Sequence, residues 1–571
     1  MIMKTFKYKI LLITAVVAVV AGCKKYEQYP AEQRTIDYVF DKNDSLGTNA
    51  YSFLNSTYAL LKSGHNRVNG EYLDAASDDA VSASNNTTSV PYILSTGSYN
   101  STNLPVDENV WQNAYVAIRK ANVFISNIDV VPVKDELRPG VSMKFAWKSE
   151  ARFIRAMFYF DLLKRYGGVP IVGDKVFTLD DDLNMPRNSF AECVDYIVSE
   201  CDAIKGTLLT VPLASPTANS QRVTNAAALT LKAKVLLYAA SPLFNGGNID
   251  GANPLTGYTS FNANRWVLAA QAAKDVMDLN AFTLVPDFRN AFITQVPANT
   301  EVIFQRPNGL TNTVESNNGP IGFTTNPIGQ GKTSPTQDLV NAFPMKNGLA
   351  IDAPGSNYNE NDPYANRDPR LGYTIFYNGS PWLNSLVLTY EGGRSKPNIG
   401  NQQTVTGYYM RKFMGLYESQ SNYGTAPEDW MFFRYADVLL AYAEAQNEAL
   451  ATPDNSVYTA VEKIRQRAGL SPYQLAPGLS QDAMRTIIRN ERRIEMAFEE
   501  DRYWDIRRWK IAEDVMNKPR VGVTIANAIA GYTYTYAPVL ATKFKAPAMY
   551  LYPIPYNETV KNTKLKQNPG W

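Results

Sequence analysis

The chain has 571 residues, with 56 Lys and Arg against 54 Asp and Glu, one His and three Cys. That length buries a core without disulfide or metal staples, and a formal charge of +2 leaves no excess of cations of the kind a nucleic-acid footprint requires. Tyrosine is the unusual abundance, 35 residues beside 8 Trp, and both types offer an apolar face with a polar handle suited to wet recognition surfaces.

Residues 1–22 read as an export signal: Lys4, Lys7 and Lys9, an apolar run over 10–20, then Val20-Ala21-Gly22-Cys23. The run is short for a membrane span, and the small residues before Cys23 have the form of a bacterial lipobox. Cys23 is therefore expected to be the lipidated N-terminus, and several acyl chains on one residue give stable anchoring. Residues 23–35 form a polar tether.

Residues 36–280 carry helical periodicity. Trp111, Tyr115, Ile118, Asn122 and Ile125 make one apolar stripe with an amide set into it, so Asn122 is expected to meet a neighbouring helix. A second helix spans 142–166, with Trp147, Ala151, Ile154 and Phe158 on one face, Lys164 and Arg165 in its last turn, and Gly167-Gly168 and Pro170 stopping it. A capping box of Ser189 and Glu192 opens a helix over 188–205. Cys193 and Cys201 on that helix stand about 12 Å apart along its axis, too far for a disulfide, and are expected as buried small hydrophobes. Residues 225–240 are alanine-rich and permit close helix approach, and 265–279 make a further helix.

Residues 281–427 are rich in Gly, Pro, Asn, Ser and Tyr and read as a loop-rich, partly β, ligand-facing region. Short β-prone pieces at 302–304 and 373–376 sit among the turn signals Asn308-Gly309, Asn347-Gly348 and Asn378-Gly379. Long loops on a helical scaffold are where recognition usually lives, and 77–104 is a smaller stretch of the same kind. Residues 428–571 return to helix, over 430–450, 458–468 and 481–510. Paired helices with small residues at their crossings suggest tetratricopeptide-like units, without a clean 34-residue period.

Reactive chemistry is sparse. His65, between Gly64 and Asn66, has no second His at metal spacing, which excludes a histidine zinc site and a Ser-His triad and makes it a solvated loop residue. Residues 326–333 approach a P-loop but carry Asn326 where the first glycine belongs. Asp78-Asp79, Asp180-Asp181-Asp182 and Glu499-Glu500-Asp501 could furnish an acid and a base for glycoside hydrolysis, yet adjacent carboxylates do not make a cleft. No catalytic residue, metal ligand or cofactor is assigned, and calcium is left open as a loop-shaping ion. Glu491, Arg492, Arg493 and Glu495 are expected in ion pairs, and Trp504 and Trp509 in packing.

Several segments resemble the SusD/RagB family in the family's order: the lipobox; 111–122; Glu150-Ala151-Arg152-Phe153-Ile154-Arg155-Ala156 running into 162–170; and 225–240 followed by Ser241-Pro242-Leu243-Phe244. So do 335–340, 433–440 leading to Ala443-Glu444-Ala445, 464–469, Glu491-Arg492-Arg493, 504–509, 551–555 and 567–571. The resemblance implies a mainly α SusD-like fold of tetratricopeptide-like helical repeats with a loop-rich, partly β face. It also implies a non-enzymatic lipoprotein at the outer-membrane surface that captures oligosaccharides for a SusC-like TonB-dependent transporter. A peptide-binding RagB-type receptor and, behind it, a surface glycoside hydrolase are the alternatives.

Sugar recognition needs flat aromatic surface and polar side chains for the hydroxyls. The candidates are Asp79, Asn85, Asn86, Tyr92 and Tyr99 in the first loop stretch, and Phe323, Tyr358, Tyr364, Tyr377, Trp382, Tyr390 and Arg394 in the second. Trp382 heads the set because it follows Asn378-Gly379-Ser380-Pro381 and has no helical stripe to absorb it; the competing reading is an indole tucked against the scaffold.

Overall fold

The computed structural model describes residues 35–571 apart from 84–86, 106–107, 213–221, 248, 325–328, 399–402, 418 and 530. The expected signal, the lipidation site Cys23, the tether as far as residue 34, and the candidates Asn85 and Asn86 lie outside the described residues.

Among the described residues, ten helices of eight or more residues frame the molecule: α1 (Thr48–Tyr58), α2 (Trp111–Asn127), α3 (Met143–Tyr166), α4 (Phe190–Ile204), α5 (Asn225–Ala240), α6 (Asn264–Met277), α7 (Tyr435–Ala449), α8 (Asn455–Ala468), α9 (Gln481–Glu495) and α10 (Asp501–Arg508). From α1 to α7 each packs on its successor, and α7 packs on both α8 and α9, as in a tetratricopeptide-like stack. Local chemistry sets the ends. The Ser189 hydroxyl accepts from the Glu192 N–H while the Glu192 carboxylate accepts from the Ser189 N–H. Asp454 caps α8, and Gly469 closes it in the left-handed region. Buried Ala226, Ala227 and Ala228 of α5 and Ala269, Ala270 and Ala273 of α6 let those helices approach closely. Cys193 and Cys201 are buried and unbridged, as expected. Asn122 donates to the carbonyls of Gly173 and Lys175 and accepts from Arg155 of α3.

Helices α6 and α7 touch although residues 278–434 lie between them. This intervening chain is loop-rich with short strands, as expected, and its loops are packed. It forms a lobe around a second hydrophobic core, including Phe288, Phe343, Ile375, Phe376, Tyr409 and Met410, to which Tyr72, Phe498, Val523 and Ile525 from outside the lobe contribute. Its two ends are laced together by strands Val302–Arg306 and Trp430–Arg434, so the expected helix over 430–450 begins only at Tyr435. The β-prone piece at 373–376 is also corrected: Pro369–Thr374 is helical, and Ile375–Phe376 pairs with Tyr409–Met410.

The expected helix over 481–510 is broken between α9 and α10, where Phe498 and Glu500 take positive φ. The break has a physical cause. Lys412 donates to the carbonyls of Glu495 and Ala497 and to the Glu499 carboxylate, capturing oxygens that a continuing helix would use, while the Phe498 ring enters the core of the lobe. Arg434 meets Glu301, Glu495 and Glu499 there, and Arg492 meets Asp437, Asp501 and Asp505. The charges of this region and the buried Trp504 and Trp509 are scaffold, as expected.

His65 is another correction. It is buried, with Nδ1 2.7 Å from the Tyr72 hydroxyl and its ring edge-on to Phe413 and Trp430. Burial holds its pKa well down, so the imidazole is neutral. The neighbouring Gly64 admits the indole: a Cβ there would lie 2.2 Å from a Trp430 ring carbon.

Candidate ligand-binding face

After the helices the chain makes a long antiparallel hairpin, Arg520–Ala528 with Gly531–Leu540. Its second strand reads Gly-Tyr-Thr-Tyr-Thr-Tyr, and the period of two puts Tyr532, Tyr534 and Tyr536 on one face at intervals of about 7 Å. Each meets a tyrosine of the lobe. Tyr532 stacks on Tyr390 at 5.9 Å between ring centroids, Tyr534 stands edge-on to Tyr364 at 5.9 Å, and Tyr536 lies close enough to Tyr358 for the two phenols to act on one another electrostatically.

Behind this row Tyr364 stacks on Tyr377 at 4.2 Å and 17°, and its hydroxyl lies 3.2 Å from that of Tyr408. Tyr408 is buried and donates to Gln337 Oε1 at 2.5 Å, which ties the row to the core of the lobe. Tyr532 and Tyr536 remain 40% and 42% exposed. Burial pushes the phenols of Tyr364, Tyr377, Tyr534 and Tyr536 up, so all four are neutral at neutral pH and able both to donate and to accept. The hairpin over 521–542 contains no charged residue. The face therefore offers apolar rings interleaved with hydroxyls, the chemistry that a wet, uncharged ligand surface calls for.

Of the expected ligand contacts, the structure brings together Tyr358, Tyr364, Tyr377 and Tyr390. It does not bring the others to this row. Trp382 is 6% exposed, edge-on to Phe376 at 5.1 Å. Phe323 is buried beneath the Arg394 guanidinium, which pins the chain by donating to the Leu386 carbonyl and the Ser385 hydroxyl. Tyr99 packs between Tyr552 and Trp571. Asp79 is fully buried and accepts from Arg493 at 2.6 Å, beside Asp78, which accepts two hydrogen bonds from Arg502. Phe323 and Tyr99 are each 4% exposed and Asp79 is 0% exposed, so none of them presents a surface on this face. Tyr92 is half-buried in the short helix Val90–Thr96, which packs on the turn Leu73–Ala76. Tyr532, Tyr534 and Tyr536 were missed, although their alternation with threonine is a strand signal.

The acidic clusters at 78–79 and 499–501 are held in ion pairs. Glu499, Glu500 and Asp501 pair with Arg434 and Lys412, with Arg67, and with Arg492 and Lys234; Asp181 binds Lys175 on an exposed turn. Among the described residues no group of three or more His, Cys, Asp or Glu could hold a metal ion, and no helix is long and apolar enough to cross a membrane.

A stack of antiparallel helices presenting a lobe around a second core and an uncharged tyrosine row defines a helical-repeat binding protein. A family model described as the SusD family matches residues 300–571, and one described as starch-binding associating with outer membrane matches residues 40–237. The chain belongs to the SusD/RagB family, whose members associate with the outer membrane. It is 26% identical to SusD-like protein P2 of Formosa agariphila, over 81% of this chain and 80% of that protein. A SusD-like protein from Bacteroides fragilis shares the fold with a TM-score of 0.74 and 27% identity, over 93% of this chain and 98% of the other. Surface glycan-binding protein A from Bacteroides uniformis matches with a TM-score of 0.63 and 16% identity, over 91% and 99% of the two chains.

Proposed function

We propose that the chain is a cell-surface lipoprotein, anchored through Cys23, that captures oligosaccharides on the tyrosine row and passes them without chemical change to a SusC-like TonB-dependent transporter. The observation that carries this reading is the pairing of Tyr532, Tyr534 and Tyr536 with Tyr390, Tyr364 and Tyr358 across two separately built elements. Pyranose C–H faces pack on such rings, and the phenol hydroxyls meet the sugar hydroxyls. The lipobox and the glycan-binding relative support the surface role. Calorimetry of the full mature chain in mild detergent, against plant, host and microbial oligosaccharides, is expected to find a ligand whose binding weakens in Tyr534→Ala. Binding of peptides alone, or new reducing ends after prolonged incubation, would replace this reading.

A further inference from the structure

Trp382 forms one wall of an open cleft of about 630 Å³ beside the tyrosine row. The hairpin that carries it turns through Leu383 and Asn384, both at positive φ, and so sets the indole opposite Arg289, Arg411 and Tyr417. Among the described residues no carboxylate lines the cleft.

The two arginines are unlike those of the scaffold, where Arg434, Arg492 and Arg508 are each matched by carboxylates. The half-exposed Arg289 side chain makes no ion pair or hydrogen bond among the described residues; Asp287, two residues earlier, spends its carboxylate on the Arg289 backbone N–H at 2.8 Å. Arg411 lies over the Phe376 ring at 4.7 Å and donates once, to the Gly372 carbonyl at 2.7 Å. Its Nε is buried without a partner among the described residues. Burial and the charge of Arg289 together bring the Arg411 pKa down to about 10, which leaves both groups cationic at neutral pH. Asp287 offsets part of the Arg289 charge, but the like charges of Arg289 and Arg411 facing one cleft raise the energy of the empty site, and an anion would relieve it. Gly372, whose carbonyl accepts from Arg411, sits so near Tyr377 that a Cβ there would lie 3.9 Å from the phenol oxygen, and Tyr377 stacks on Tyr364, so the cleft and the row are adjacent.

We propose that this cleft is an anion subsite, in which Arg289 and Arg411 hold the carboxylate or sulfate ester of an acidic glycan whose neutral sugars lie on the tyrosine row. Guanidinium groups bind planar and tetrahedral oxyanions through paired N–H donors, and Trp382 and Tyr417 supply the apolar walls that strengthen such contacts. The sugar part of this assignment rests on the glycan reading above; the anion part does not.

Two measurements on the full mature chain separate them. In the first, sodium sulfate and sodium glucuronate are titrated at fixed ionic strength against the wild type, Arg289→Gln and Arg411→Lys, with thermal unfolding as readout. Stabilisation of the wild type that Arg289→Gln lacks is expected, and equal responses in all three would overturn the subsite. In the second, an acidic oligosaccharide is compared with its neutral counterpart of the same backbone. The acidic form is expected to bind about tenfold tighter, with Arg289→Gln removing the gain; equal affinities, or a gain that survives the substitution, would refute the assignment. A cleft that binds the free anions while neither sugar binds at all would keep the subsite and retire the row as a glycan face. Preference for a peptide's C-terminal carboxylate over glucuronate would transfer the site from glycans to peptides.

Discussion

Arg508 and Glu444 meet in a two-point ion pair, Nη1 to Oε1 at 2.6 Å and Nη2 to Oε2 at 2.7 Å, with both side chains buried. The pair joins α10 to α7, and the Trp509 indole N–H donates to the same carboxylate at 2.7 Å. Removing one partner strands a buried charge. Arg508→Ala is therefore expected to cost about 3–5 kcal/mol in chemical denaturation, whereas the double change Arg508→Met with Glu444→Leu costs less than the single one. A double variant weaker than Arg508→Ala would contradict this account.

The tyrosine row separates binding from stability. Tyr534→Ala is expected to weaken the glycan complex by about tenfold and leave the unfolding midpoint close to that of the wild type, because the ring is partly exposed. Tyr99→Ala removes a ring buried against Tyr552 and Trp571, and is expected to lower stability by about 3–5 kcal/mol. Affinity measured on folded Tyr99→Ala protein should match the wild type; a selective loss there would restore Tyr99 as a ligand contact.

Glu71 makes stability depend on pH. Burial pushes its carboxyl up to about 7; Oε1 accepts from the Ser82 hydroxyl at 2.7 Å, and Oε2 has no partner among the described residues. The folded state thus holds the proton more tightly than the unfolded chain, whose value is 4.5. Its contribution is complete below pH 4.5 and is lost as pH rises through about 7, a change on the order of 3 kcal/mol. Denaturation series at pH 4.5, 6 and 8 should show Glu71→Gln flattening that decline, and an unaltered slope would show that other groups cause it.

Lys412 is expected to be indispensable to the junction of lobe and helices. Its ammonium group is buried and shared among the Glu495 and Ala497 carbonyls and the Glu499 carboxylate. Lys412→Met leaves the Ala497 carbonyl without its side-chain donor and takes one of two cations from Glu499, Arg434 remaining on Glu495 and Glu499, and should cost about 3 kcal/mol. Hydrogen exchange should locate the loss at residues 496–500, and loss confined to another part of the chain would rule out the proposed role.

Where the helices could be read from sequence, the determinants were local. Residues 225–240 became α5 because its alanines and the Thr224 cap act within the segment. Trp430–Arg434 passed for helix because its partner strand, Val302–Arg306, is remote in the chain, and the break after Glu495 depends on Lys412, equally remote. The same division holds at the site. Tyr364 and Tyr377 stood out as loop aromatics, but nothing local marks where each loop aromatic ends: Phe323 was drawn beneath Arg394, and Trp382 turned edge-on to Phe376 at the wall of a separate cleft. The unpaired state of Arg289 and Arg411 is likewise a property of assembled neighbours.

Because α6 and α7 touch across residues 278–434, the lobe departs from the helical stack and rejoins it at nearly one place. Such an insertion behaves as an exchangeable cassette. A lobe of different sequence could be grafted between the same two helices, provided it kept the Val302–Arg306 and Trp430–Arg434 lacing, the Glu301 to Arg434 clasp, the Lys412 contacts with residues 495–499 and the pairing of Thr333–Pro335 with Ala80–Ser82. One inherited frame could in this way be refitted for many ligands while its remaining surfaces stay untouched.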